Sequence, residues 1–282
     1  MRQTPFSIDA HLQIEPPPVL YHYTSMRAAL GIIADEAIWA TNVFYLNDSS
    51  EYRHVLDAIV ERLKLKMPAY PDPFQQENLQ TYETRLKNDP FGPIYVASFS
   101  SKKDDLTQWR GYCPPGLGVC IGFRTEALKI AAWEELGKIG QVIYINKEDG
   151  ETFDDLLDSV ANPRSNQPMK LPRNTQAALD AVNAAPFYKS EAFSSECEWR
   201  VKTGGAVDLR KNQTIEFRVG ASTLVPYKTL SFRKHSTTFI AEIIIGPSPN
   251  LPISVDAMNQ FLMSKGISGI DVTGSTVSFR SW

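Results

Sequence analysis

The apolar residues of this chain come in short bursts. Even the longest, such as Ile240 to Gly246 in a chain of 282 residues, fall far short of the roughly 20 residues that a membrane-crossing helix needs. Such bursts suit strands and amphipathic helices packed on one another, and 43% apolar residues supply enough material for a substantial core. The strand-like bursts are Leu20 to Thr24, Ile38 to Thr41, Ile94 to Ser100, Gly118 to Phe123, Gln141 to Ile145, Trp199 to Thr203, Ile215 to Val219, Leu224 to Pro226, Ile240 to Ile245 and a last strand ending at Arg280. Ile94 to Ser100 is a strong candidate among them, with β-branched and aromatic residues.

Between them the spacing changes to that of helices: Met26 to Glu36 after the capping Ser25, with apolar Met26, Leu30, Ile33 and Ala37 at helical spacing; a helix through Ile59 to Leu65, with Ser50 read as its cap; Phe74 to Lys87; Leu106 to Tyr112; Thr125, read as a cap, to Trp133; and Val255 to Lys265. The alternation is not a strict βαβ series, so the expectation is an α+β fold with a mixed, mostly antiparallel sheet flanked by helices. Residues 1–18, ending in Pro16-Pro17-Pro18, read as a flexible leader. Residues 19–282 read as a single α+β domain, with a helical insertion around 146–192 whose polar, Pro-rich stretch Asn162 to Asn174 is expected to be a mobile loop.

Charge and cysteines exclude several classes. The formal charge is −3, with no long basic run, which gives no strong nucleic-acid signal. The N-terminus lacks an apolar signal core and no stretch can cross a membrane, so the expected place is the cytoplasm, with no membrane partner. Cys113, Cys120 and Cys197 cannot all pair, and fit no metal-binding spacing. No phosphate-loop or dinucleotide glycine fingerprint and no nucleophile elbow is present.

Polar chemistry concentrates in four segments. In Tyr21-His22-Tyr23-Thr24-Ser25, strand alternation puts Tyr21 and Tyr23 on one face and His22 and Thr24 on the other. Here the imidazole and hydroxyls either grip a ligand or are satisfied inside the core. Asn47, Asp48 and Glu51 cluster beside Phe44 and Tyr45, as a helix-entry turn or a closing loop. Ser98 and Ser100 share a strand face opposite Phe99, and Trp109 and Tyr112 share one side of a short helix, where they stack on a flat ring or pack the core. Glu196 and Glu198 stand at strand spacing beside Arg200, either as an acid pair with one member tuned for catalysis or as a solvated edge with Arg200 as counter-charge. No His stands at metal-ligand spacing to these acids, so no metal is expected.

Taken in order, Leu20 to Ser25, Leu46 to Glu51, Ser98-Phe99-Ser100, Trp109 to Tyr112 with Gly118 to Phe123, Glu196 to Arg200, Ile243 to Pro247 and Ser278-Phe279-Arg280 resemble the bacterial domain of unknown function 2971. More distantly, a first-strand His followed by Thr, a central Ser-x-Ser strand and a late Glu-x-Glu strand resemble the ADP-ribosyltransferase superfamily. That resemblance implies a split and bent sheet clamping NAD as substrate, with His22 on ribose and amide, Tyr23 or Trp109 stacked on nicotinamide, Thr24 beside them, and Ser98 or Ser100 shaping the cleft. It implies Glu198 as the catalytic acid and Glu196 toward a macromolecular acceptor that no motif identifies. The implied activity is NAD-dependent ADP-ribosyl transfer or NAD glycohydrolysis, in a setting such as phage defence or toxicity. The residues leave open a non-catalytic ligand- or partner-binding sensor module, and a metal-dependent hydrolase or nuclease. The family's middle motif carries a threonine where this chain has Ser-Phe-Ser.

Overall fold

The computed structural model describes residues 12–46, 50–88, 92–146, 150–162, 172–205, 214–233 and 238–278. The first half contains β1 (Val19–Ser25), α1 (Met26–Asp35), β2 (Ala37–Asn42), α2 (Ser50–Lys66), α3 (Pro73–Asn88), β3 (Ile94–Ser100), α4 (Leu106–Tyr112), β4 (Gly118–Arg124) and α5 (Thr125–Glu134). There follow β5 (Lys138–Gln141), β6 (Ile143–Ile145), α6 (Asp154–Ala161), α7 (Arg173–Ala184), β7 (Tyr188–Ser190), β8 (Glu198–Gly204), β9 (Glu216–Val219), β10 (Leu224–Ser231), β11 (Ile240–Ile245), α8 (Leu251–Ser264) and β12 (Asp271–Gly274).

The fold is α+β, an open and mostly antiparallel sheet flanked by helices. Ten strands form the main sheet in the order β12-β11-β4-β1-β3-β2-β10-β9, with β8 joined to β3 and β5 to β8. All its ladders are antiparallel except β11–β12. The branch is at β3. One of its edges pairs with β8 along the whole strand, from Ile94↔Gly204 to Ser100↔Glu198. Its other edge is shared: β2 takes Tyr95 and Val96, and β1 touches only at Tyr21↔Ser100. β1 therefore leaves β3 almost as soon as it meets it, and a gap opens between β1 and β2.

Because successive side chains of β3 point to opposite faces, this strand feeds two separate cores. Ile94 and Val96 join the apolar faces of α2, α3, α6 and α7, including Leu56, Ile59, Leu79, Tyr82 and Leu157. Tyr95, Ala97 and Phe99 join Leu20, Ile121, Phe123, Trp199 and Val201 on the opposite face, covered by α1, α5 and α8. A third, small cluster of Tyr21, Tyr23, Trp109, Cys120 and Ile244 lies under α4.

Several sequence expectations are corrected. Thr125 is the first helical residue of α5 and not its cap; its amide and hydroxyl donate instead to the carbonyls of Pro18 and Pro17, tying down the segment just before β1. Gln141 to Ile145 is two short strands, because Val142 N–H turns to the Glu198 carbonyl at 2.9 Å. The segment expected to be helical contains β7, which pairs in parallel with β6. Leu30 is an outward residue of α1, whose buried positions are Ala29 and Ile33. β12 ends at Gly274, well before the expected Arg280, which lies outside the described residues, as do Asn47, Asp48 and most of the Pro-rich loop.

Candidate functional site

β8 carries two patterns at once. Trp199, Val201 and Thr203 face one core, while Glu198, Arg200 and Lys202 face the other way, and all are buried. Burying three charges is affordable only if each finds partners. The region between α7 and β8 supplies them. Arg200 holds Glu198 with two parallel contacts, Nε to Oε1 at 2.7 Å and Nη2 to Oε2 at 3.0 Å, and its Nη1 donates to the Pro186 carbonyl at 2.6 Å. Lys202 donates to Asn183 and to the Gly204 carbonyl. Lys189, from β7, reaches Glu196 at 2.7 Å and Glu198 at 3.4 Å. The acid pair is thus no solvated edge; Glu198 is 5% exposed.

Glu196 is not on the strand. It closes a 3₁₀ turn, Glu191–Glu196, and Cys197 then takes a left-handed conformation (φ 47°) that swings the chain into β8. A non-glycine residue there stores about 1–2 kcal/mol. The bend aims the Glu196 carboxylate at Lys189 and at the Tyr112 hydroxyl, which donates to it at 2.8 Å. Ser100 Oγ fixes the bend by donating to the Glu196 carbonyl at 2.7 Å, and Gln108 Nε2 approaches the same oxygen.

Burial pushes the Glu198 carboxyl up, but the charges of Arg200 and Lys189, with hydrogen bonds from Arg200 and Ser98, outweigh it and hold the group below the usual carboxylate range. Glu198 is ionised at neutral pH. His22 is shifted the other way in charge: burial lowers its pKa, against a smaller opposing effect of the Ser98 carbonyl. Its Nδ1 lies 2.9 Å from that carbonyl oxygen, which can only accept, so Nδ1 carries the proton and Nε2 keeps its lone pair. The ring packs against Phe99 and Phe123, with centroids 5.8 and 6.5 Å away. Burial raises the Tyr112 phenol, which stays a donor.

Alternation alone puts His22 on the side of Leu20 and Phe99, and Ser98 and Glu198 on the other. The early departure of β1 from β3 lets them meet. His22, Tyr23, Ser98, Glu196 and Glu198, with Tyr112 and Gln108, line one concavity of about 60 Å³, room for about two water molecules. On its other side His22 also lines a cavity of about 460 Å³ in the gap between β1 and β2, together with Thr24, Ser25, Arg27, Trp39 and Arg218.

Of the residues singled out in the sequence, Ser100 is a buried positioning group. Trp109 is buried edge-to-face on Tyr23, centroids 4.8 Å apart, with its indole N–H on Asp104, and does not line the concavity. Tyr23 has its hydroxyl bonded to Lys102 and Asp105. Sequence reasoning passed over Lys189, whose only signal was a cation beside an aromatic-rich segment, and Arg27, Trp39 and Arg218, which had none. The three cysteines are free, and burial pushes the Cys113 thiol up to about 12, so it is no ready thiolate. Among the described residues no group of three or more His, Cys, Asp or Glu is placed to hold a metal ion, and no helix is long and apolar enough to cross a membrane.

The fold and site define a class: an open-sheet α+β protein with an enclosed, ionised glutamate beside a neutral histidine in a narrow cleft. Residues 108–201 match the model of a family described as Protein of unknown function (DUF2971). That segment runs from Gln108 through Tyr112, Lys189, Glu196 and Glu198 to Arg200, while His22 and Ser98 lie outside it. No curated protein and no solved structure matches the chain.

Proposed function

We propose that this protein cleaves the bond between nicotinamide and ribose in NAD, transferring ADP-ribose to a macromolecular acceptor or to water. The observation that carries the reading is that His22, Ser98, Glu196 and Glu198, from distant parts of the chain, line one concavity. As the C–N bond breaks, its electron pair leaves with the nicotinamide nitrogen and positive charge develops on the ribose. An ionised carboxylate beside that carbon stabilises the charge, and Glu198 is held in this state. Nε2 of His22 accepts a hydrogen bond from a ribose hydroxyl or the amide. The acceptor oxygen then bonds the ribose carbon and gives up its proton, with Glu196 next to Glu198 as the base. Room for about two waters is less than a nicotinamide ring needs. Entry therefore requires Tyr112 to leave Glu196; this residue is 40% exposed, at the end of α4.

A second reading has its own observation. Glu198 already has Arg200, Lys189 and Ser98 as partners, as in a buried network whose work is structural; the cleft would then serve a sensor module that binds a ligand and leaves it intact. The full chain incubated with NAD distinguishes the two. The transferase reading expects nicotinamide release, falling by about 100-fold or more in Glu198→Gln with the far-ultraviolet spectrum kept. NAD that raises the melting temperature but stays whole supports the sensor; neither effect removes NAD from consideration.

A further inference from the structure

The cavity of about 460 Å³ between β1 and β2 is of ligand-binding size. It lies across His22 from the acid-bearing concavity, and its chemistry is different. Two of its lining groups are arginines. Arg27 stands exposed in the first turn of α1, and neither it nor Arg218 makes an ion pair among the described residues. The Arg218 Nε is buried with no acceptor, and its Nη2 has only a long 3.4 Å contact to Thr41. A guanidinium left in this state is short of an anion. The one acid on the lining is Asp35.

Beside these cations is a flat surface. Trp39 is 47% exposed although it belongs to a central strand; it packs on Tyr227 with centroids 4.5 Å apart and an interplanar angle of 32°, and the Arg218 guanidinium carbon is 6.0 Å from its ring centre. Thr24, Ser25 and Thr41 bring hydroxyls. The wall formed by α1 contains Gly31, where a side chain would meet nothing within 4 Å. A glycine inside a helix is unfavourable, and here it keeps the wall thin.

From this combination of unpaired guanidinium donors, an exposed indole and hydroxyls around one cavity, we infer that the β1–β2 cavity binds a phosphorylated nucleoside, with its phosphates on Arg27 and Arg218 and its ring against Trp39. The formal charge of −3 on the chain favours a free nucleotide over a nucleic-acid strand. The inference stands on the cavity's own lining and does not require bond cleavage at Glu198.

Isothermal titration of the full chain with ADP tests it, beside adenosine, which lacks phosphate, and pyrophosphate, which lacks the ring. Binding of ADP at least about tenfold tighter than either is expected, with a loss of about tenfold or more in Arg27→Gln, since a charge-assisted contact is removed. Gly31→Leu fills the cavity from a helix that gains by losing its glycine, so it should weaken ADP while keeping the melting temperature. No heat with ADP at millimolar concentration overturns the proposal. So does equal affinity for adenosine or pyrophosphate, or wild-type affinity in both variants. ADP has no nicotinamide, so a chain that binds it yet releases no nicotinamide from NAD upholds this site and refutes the proposed cleavage.

Discussion

His22 shows how one residue couples the site to stability. The folded protein holds its imidazole neutral, mainly through burial. In the unfolded chain the same ring takes up a proton near its ordinary value of about 6.5. The folded pKa is the lower one, so acidification favours the unfolded state, and stability falls as pH drops through about 6.5 toward the folded value. Glu198 acts in the same direction at lower pH. Its depressed pKa contributes stability above the unfolded carboxylate value of about 4.3, and that contribution is lost as pH falls through the folded value. Urea midpoints of wild type and His22→Gln should therefore show a shallower decline for the variant between about pH 7.5 and 5. Equal slopes would mean that the imidazole titrates normally in the folded chain.

At the scale of elements, α1 is the informative case. Its start was legible because Ser25 offers an N-cap, and the hydroxyl does accept from Ala28 N–H at 3.2 Å. Its facing was only half legible. Ile33 is buried as the spacing suggests, but Leu30 turns outward, because the buried face of the helix runs through Ala29 and Ile33, one turn apart, and Leu30 falls beside it. Gly31→Ala should raise stability by about 0.8–1 kcal/mol from helix propensity alone, since the added methyl meets no atom within 4 Å; thermal denaturation reads this directly. A fall in the melting temperature would mean the helix wall is tighter than described. β8 teaches the converse lesson. Its Glu-x-Arg-x-Lys face looks like a solvent edge in sequence, and only the returning α7–β7 segment, with Pro186, Asn183 and Lys189, makes it an interior.

For the whole molecule, β3 is the strand that joins the helical core to the sheet's opposite core. Damage on one side should therefore be felt on the other. Leu157→Ala, in the helical core, should cost about 2–5 kcal/mol. That core contains no tryptophan, whereas Trp199 sits in the other. Tryptophan fluorescence and far-ultraviolet circular dichroism should nonetheless give one shared, lowered midpoint. A fluorescence midpoint that stays at the wild-type value would show two independently melting halves.

The order of the elements, which is not a strict βαβ series, pointed to mostly antiparallel pairing, and the amino-acid sequence by itself determined the local periodicities: which stretches extend, which coil, and where glycine and proline interrupt them. These follow from short-range sterics and from the spacing of apolar residues, which each segment carries with it. Tertiary structure alone decided that β1 parts from β3 after a single pair, that Glu196 bends off β8 to share Lys189 with Glu198, and that two unpaired arginines and an exposed tryptophan face one cavity. Those outcomes depend on residues separated by up to two hundred positions satisfying one another's charges and volumes, and no local pattern encodes which distant partner arrives.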